Sequence, residues 1–215
     1  ADPVERLGDL LRPPEVTTGV LLARCLAALE TGNQRVLEQS VNTLLTNDPW
    51  EWRAVWMAGL GALLRGDPTN ALSSFNAVYG QLPGELAPKL ALALSCELGG
   101  EYDLAEVLYR ICASTDAAYV TPAAFGLARI RSTRDDLNGS LAALAMVPNT
   151  SRGYPDAMRQ RASRDGVEQL RLAIGRVDLH DVLATHGDVS QRAARGFGEA
   201  EMVGDEAGVD HARHR

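Results

Sequence analysis

Three glycines recur at an interval of 34 residues, Gly32, Gly66 and Gly100, and the next step reaches Arg134. Each of these positions closes one run of apolar residues at helical spacing and opens another. The chain therefore reads as one helix–turn–helix unit repeated. The clearest example begins at Leu82 and runs to Gly100, LPGELAPKLALALSCELGG, with Pro83-Gly84 as a stop at one end and Gly99-Gly100 at the other. Between those stops Leu86, Leu90, Ala93, Leu94 and Leu98 recur as an amphipathic helix requires. Such a unit cannot bury its apolar face alone and must stack on its neighbours. The interval of 34 is that of the tetratricopeptide repeat.

The expected architecture is all-α: a tetratricopeptide-repeat superhelix (an α-solenoid) of about four helix pairs with a C-terminal capping helical region. Residues 1–15, with Pro3, Pro13 and Pro14, read as a linker. Residues 16–153 hold four repeats, about 18–51, 52–85, 86–119 and 120–153. Their A helices are expected at Thr17–Glu30, Trp50–Arg65, Glu85–Leu98 and Pro122–Ser132. The B helices are expected at Gln34–Thr46, Pro68–Gln81, Tyr102–Ala113 and Asp136–Met146, with Asp67 as N-cap and Pro68 in the first turn of the second. Residues 154–185 read as divergent capping helices, and 186–215 as a polar, poorly ordered tail. Five positions past each period mark a small residue should let helix B approach helix A. Ala71 and Ala105 fit, while Leu37 and Gly139 mark deviating end repeats. Four further on a bulky contact is expected, and Val41, Phe75 and Tyr109 supply it where Ala143 does not.

Composition narrows the function classes. The formal charge is −7 over 215 residues, which argues against nucleic acid or an anionic membrane as the partner. Apolar runs are cut by Gly, Arg or Asp well short of the ~18 residues that membrane insertion needs. Cys25, Cys96 and Cys112 contain no C-x-x-C pair and fall among apolar residues, as buried reduced thiols do. With no signal peptide in view, these thiols lead to a cytoplasmic expectation. The chain begins at Ala1 instead of Met, as a fragment or trimmed chain would.

No catalytic constellation stands out. Gly196-Phe197-Gly198 lacks the later glycine of a phosphate loop, His-Arg-Asp and Asp-Phe-Gly are absent, and the sole lysine, Lys89, lies in a repeat helix. His180 and His186 are six apart, poor spacing for one helical face, and His211 and His214 lie in a polar stretch. No enzyme activity, cofactor or metal is expected of this chain. Binding remains, on the concave face that A helices line in such arrays. The positions where peptide-reading repeats carry Lys and Asn hold Leu22 and Leu26, Trp56 and Leu60, Leu90 and Leu94, Ala124 and Ala128, so no carboxylate clamp is present. The candidate contact set is Arg53, Trp56, Leu60, Leu90, Leu94 and Arg131, with Trp50 and Trp52 beside it, since Trp and Arg dominate interface energetics. Trp52 and Trp56, four apart, would equally serve as packing between repeats one and two, and Arg129 and Arg131 as solvated charges.

Four segments, Trp50–Trp56 (WEWRAVW), Leu82–Leu94 (LPGELAPKLALAL), Ala123–Ser132 (AAFGLARIRS) and Val147–Arg152 (VPNTSR), resemble the C-terminal tetratricopeptide domain of the actinobacterial serine/threonine protein kinase G (PknG) family. They occur in that family's order, over about Val16 to Arg161. The resemblance implies a parent chain with a rubredoxin-like metal module and a kinase domain ahead of the repeats. It implies a substrate carrying a forkhead-associated domain, and repeats that hold the kinase architecture together and support dimerisation. No position here matches the kinase or rubredoxin motifs. The expectation is thus a non-catalytic interaction domain whose partners are the kinase domain of the same or a neighbouring chain, a second copy of itself, or a protein substrate. A free-standing adaptor with no attached kinase is the alternative.

Overall fold

A computed structural model describes residues 2–12 and 16–162 of the chain. The expectations for residues 163–185 and for the tail 186–215 lie outside the described residues. The described part is helical, with no strand.

Helix α1 spans Pro3–Leu10, where the sequence suggested only a linker. Asp2 caps it by accepting from the Val4 amide, Pro3 suits its first turn, and Leu7 is buried. Pro3, which suggested a linker, thus opens a helix. Arg24 donates from Nε to the Leu10 carbonyl at 2.7 Å, and Arg6 pairs with Glu30, so α1 is fastened to the array.

Four pairs follow: α2 (Thr18–Thr31) with α3 (Gln34–Asn47), α4 (Trp52–Leu64) with α5 (Pro68–Gln81), α6 (Leu86–Leu98) with α7 (Tyr102–Thr115), and α8 (Ala117–Thr133) with α9 (Leu137–Leu144). A tenth helix, α10 (Tyr154–Ala162), packs on α9. Each helix packs mainly on those before and after it in the chain, as an array requires.

The turns between paired helices carry the period. Gly32, Gly66 and Gly100 have φ of 67°, 70° and 83°, a left-handed conformation that glycine adopts without steric penalty. The amide after each glycine reaches back into the A helix: Asn33 to the Ala28 carbonyl, Asp67 to Ala62 and Glu101 to Cys96. At the fourth turn the left-handed residue is Asp135 (φ 58°), one place beyond the expected Arg134, and Asp136 closes back on Arg131. Aspartate tolerates this region better than most side chains. The interval before it is therefore one residue longer. α8 also starts earlier than expected, at Ala117 with Asp116 as its cap, which leaves Pro122 inside the helix.

That shift restores the columns that looked broken. Five places past Asp135 stands Ser140, small and buried, whose hydroxyl donates to the Ala128 carbonyl at 3.0 Å. Four further on stands Leu144, fully buried. Gly139 is small for another reason: a Cβ there would collide with the Asp136 carboxylate and the Arg131 side chain. At the other end Leu37 occupies the small-residue column, and it fits because Gly61 of the next repeat has no side chain in its way.

Candidate interaction surface

Four of the six residues expected to meet a partner are core. Trp56, Leu60, Leu90 and Leu94 are all buried. Trp56 meets Phe75 of its own repeat edge-on, with ring centroids 5.0 Å apart, and Phe75 in turn lies over Gly59, where any Cβ would strike the ring. Helix α6 is buried from Ala87 through Glu97 apart from Lys89, which removes Leu90 and Leu94 from the reach of a partner as they stand. The run of apolar side chains that read as a greasy binding face is the packing between helices. Trp52 is half-buried at the start of α4.

The remaining two candidates are held in ion pairs. Arg53 grips Glu51 with two guanidinium nitrogens, Nε to Oε1 at 2.7 Å and Nη2 to Oε2 at 2.6 Å, and Oε1 also accepts from the Arg53 amide as the cap of α4. Burial works against the Glu51 charge, but the Arg53 hydrogen bonds outweigh it and hold the carboxyl below its ordinary value. Arg53 is still 41% exposed along its side chain, and Trp50 is 77% exposed. Trp50 lies just outside α4, with its amide donating to the Asp48 carboxylate at 2.9 Å, so this indole is fixed at its root and presented to solvent. Arg131 is largely covered, donating to the Gly139 carbonyl at 3.0 Å and to Glu106 at 3.3 Å. Around the start of α4 the structure thus leaves Trp50 exposed and Arg53 partly exposed, whereas the four apolar candidates are buried and Arg131 is largely covered.

A charged cluster that the sequence did not single out joins repeats three and four. Arg129 of α8 forks onto Glu97 of α6, Nε to Oε1 at 2.7 Å and Nη2 to Oε2 at 2.8 Å, and the Tyr109 hydroxyl of α7 donates to the same Oε2 at 2.7 Å. Burial opposes the Arg129 charge, but the hydrogen bonds to Glu97 outweigh it and hold the guanidinium proton more firmly than usual. Burial, then the Glu97 carboxylate, push the Tyr109 hydroxyl well above its ordinary value. Arg129 had the outward signs of a solvated surface charge. What could have flagged the cluster is the columns: counted from the left-handed turn, Glu97 stands where Leu29 and Leu63 stand, and Arg129 where Leu26, Leu60 and Leu94 stand. Nearby, Glu106 accepts from Arg110, Arg131 and Arg134, and Arg134 also reaches Asp103 at 2.5 Å.

Among the described residues no group of His, Cys, Asp and Glu is placed to hold a metal ion, and no helix is long and apolar enough to cross a membrane. Burial raises the pKa of Cys25 to about 12 and of Cys112 to about 11, which leaves both thiols poor nucleophiles.

Comparison with known proteins agrees with the repeat geometry. The family model described as protein kinase G tetratricopeptide repeat matches residues 11–169. The serine/threonine-protein kinase PknG of Mycobacterium leprae is 40% identical over 131 residues, which cover 61% of this chain and 17% of the relative. PknG of Mycolicibacterium smegmatis is 37% identical over a stretch of the same length and coverage. The chain thus spans only a small part of the curated relatives that it matches.

Proposed function

Since the chain belongs to the protein kinase G tetratricopeptide repeat family, we propose that it serves as the non-catalytic interaction domain of a PknG-like serine/threonine protein kinase. In this reading it docks on the kinase domain, in the same or a neighbouring chain, and supports dimerisation or substrate recruitment in the cytoplasm. The observation that carries the reading is the family match over residues 11–169, which takes in every helix from α2 to α10. The relatives are named as kinases, and the matched stretch is a minor fraction of each, so their catalytic activity belongs to the parent protein in this reading.

The contact itself falls on Trp50 and Arg53, around the start of α4. An exposed indole and a partly exposed guanidinium three residues apart in the chain offer both residue types that most often anchor interfaces. The buried Trp56 and Leu60 seat α4 itself in the array, while Leu90 and Leu94 are core residues of α6. The test adds a kinase-domain fragment in trans and measures affinity by calorimetry. Trp50→Ala is expected to weaken binding by at least tenfold, about 1.4 kcal/mol, with the urea midpoint unchanged. Unaltered affinity would move the contact elsewhere on the array. No binding by the wild-type domain would count against docking itself.

A further inference from the structure

The Glu97–Tyr109–Arg129 cluster presents a puzzle that its neighbours sharpen. Burying a charged pair is an unpromising way to gain stability, because desolvation offsets most of the attraction and well-packed apolar residues do as well or better. This same chain has the apolar solution to hand. At the Glu97 column it uses Leu29 and Leu63, at the Arg129 column Leu60 and Leu94, and at the Tyr109 column Val41, Phe75 and Leu144. Glu97 is, moreover, in the last turn of α6, where the helix dipole disfavours negative charge.

We propose that Glu97, Tyr109 and Arg129 form a stacking key, which allows the fourth repeat to seat on the third and on no other surface of the array. A repeat protein made of interchangeable apolar junctions can misassemble by stacking its units out of order or onto another molecule. If α8 were laid against the second repeat, Arg129 would face Leu63 and Phe75 and be buried without a carboxylate. If the α6–α7 face received an A helix of α4 or α6 type, Glu97 would face a leucine. Either error leaves one charge desolvated and unpaired, whereas the native junction satisfies both carboxylate oxygens and the tyrosine hydroxyl. Gly126 adds shape to charge, because any side chain there would strike the Tyr109 ring, so the two faces fit only with the ring in that notch. The outer ring of pairs from Arg131 and Arg134 to Glu106 and Asp103 spans the same junction.

The test uses the full chain with the cluster made apolar, Glu97→Leu, Tyr109→Phe and Arg129→Leu together, and a second version with Met at positions 97 and 129 to fill the longer space. Each is unfolded in urea, refolded by dilution over a range of protein concentrations, and sized by chromatography with light scattering. The expected result is a urea midpoint at or above the wild-type value in at least one version, with a refolded monomer fraction reduced several-fold and the loss growing with concentration. Two results would overturn the proposal. One is a lowered midpoint in both versions, which would make the cluster a source of stability. The other is a wild-type monomer fraction in a version that keeps its midpoint, which would leave the key nothing to do.

Discussion

Phe75 and Tyr109 are 34 residues apart and sit at the same place in successive repeats, yet their surroundings have little in common. Phe75 meets the Trp56 ring edge-on and lies over Gly59, both in its own repeat. Tyr109 lies over Gly126 of the following repeat and sends its hydroxyl to a carboxylate that an arginine of that repeat also holds. In the first case the aromatic ring consolidates a unit, and in the second it joins two. Along the array the junctions change accordingly. Between repeats one and two Arg65 and Glu38 form a long exposed pair at 3.9 Å, while Arg129, Arg131 and Arg134 all cross from the fourth repeat to the third. A common backbone scaffold leaves room for quite different side-chain solutions, and the difference decides what a substitution does.

The largest expected effects separate the two clusters by rescue. Arg129→Leu strands the Glu97 carboxylate and is expected to lower unfolding free energy by about 3–5 kcal/mol, and Trp56→Ala, which leaves a cavity, by a similar ~3–5 kcal/mol. Adding Glu97→Leu should recover most of the first loss in urea titrations. No single change opposite Trp56 should recover the second, because a void needs volume and not neutralisation. Equal behaviour of the two sites would dissolve the distinction.

Glycine positions probe the same contrast at smaller scale. A Cβ at Gly126 or Gly59 would overlap the ring above it, so Gly126→Ala and Gly59→Ala are each expected to cost about 1–3 kcal/mol by overpacking. The Gly126 variant should also shift Tyr109 away from Glu97, visible as a changed tyrosine absorbance, while the Gly59 variant leaves that signal alone.

Smallest is the alkaline response. The folded thiols of Cys25 and Cys112 hold their protons to about 12 and 11, against 9.0 in an unfolded chain. Between those values the folded state binds more protons than the unfolded one. Stability that is complete below pH 9 therefore declines as pH rises toward 11 and 12. Cys25→Ala should make that decline shallower in urea titrations run across this range.

Much of the fold is legible in the sequence, because the signals are local and repeated. The turn glycines, the Asp67–Pro68 start of α5 and the apolar spacing of α6 locate the helices to within a few residues. The one-residue lengthening before Asp135 was invisible because Arg134 offers no glycine to mark it, and Ser140 and Leu144 show the phase only when the turn is placed correctly. The site was less legible. Leucine on a helix face reads alike whether it meets a partner or the next helix, and only the packing of α4 and α6 against their neighbouring helices places Leu60, Leu90 and Leu94 inside. Arg129 misled for the converse reason: its partner Glu97 is 32 residues away, and nothing local distinguishes a buried arginine from a solvated one.

The central functional claim, a repeat domain working within a larger kinase, is tested most directly by the mass of the native protein in its host, detected with an antibody raised to residues 16–162. The account predicts a band several times heavier than 23.1 kDa, which carries kinase-domain peptides on mass spectrometry. A single band near 23.1 kDa would contradict it and leave a free-standing adaptor related to the kinases by descent alone.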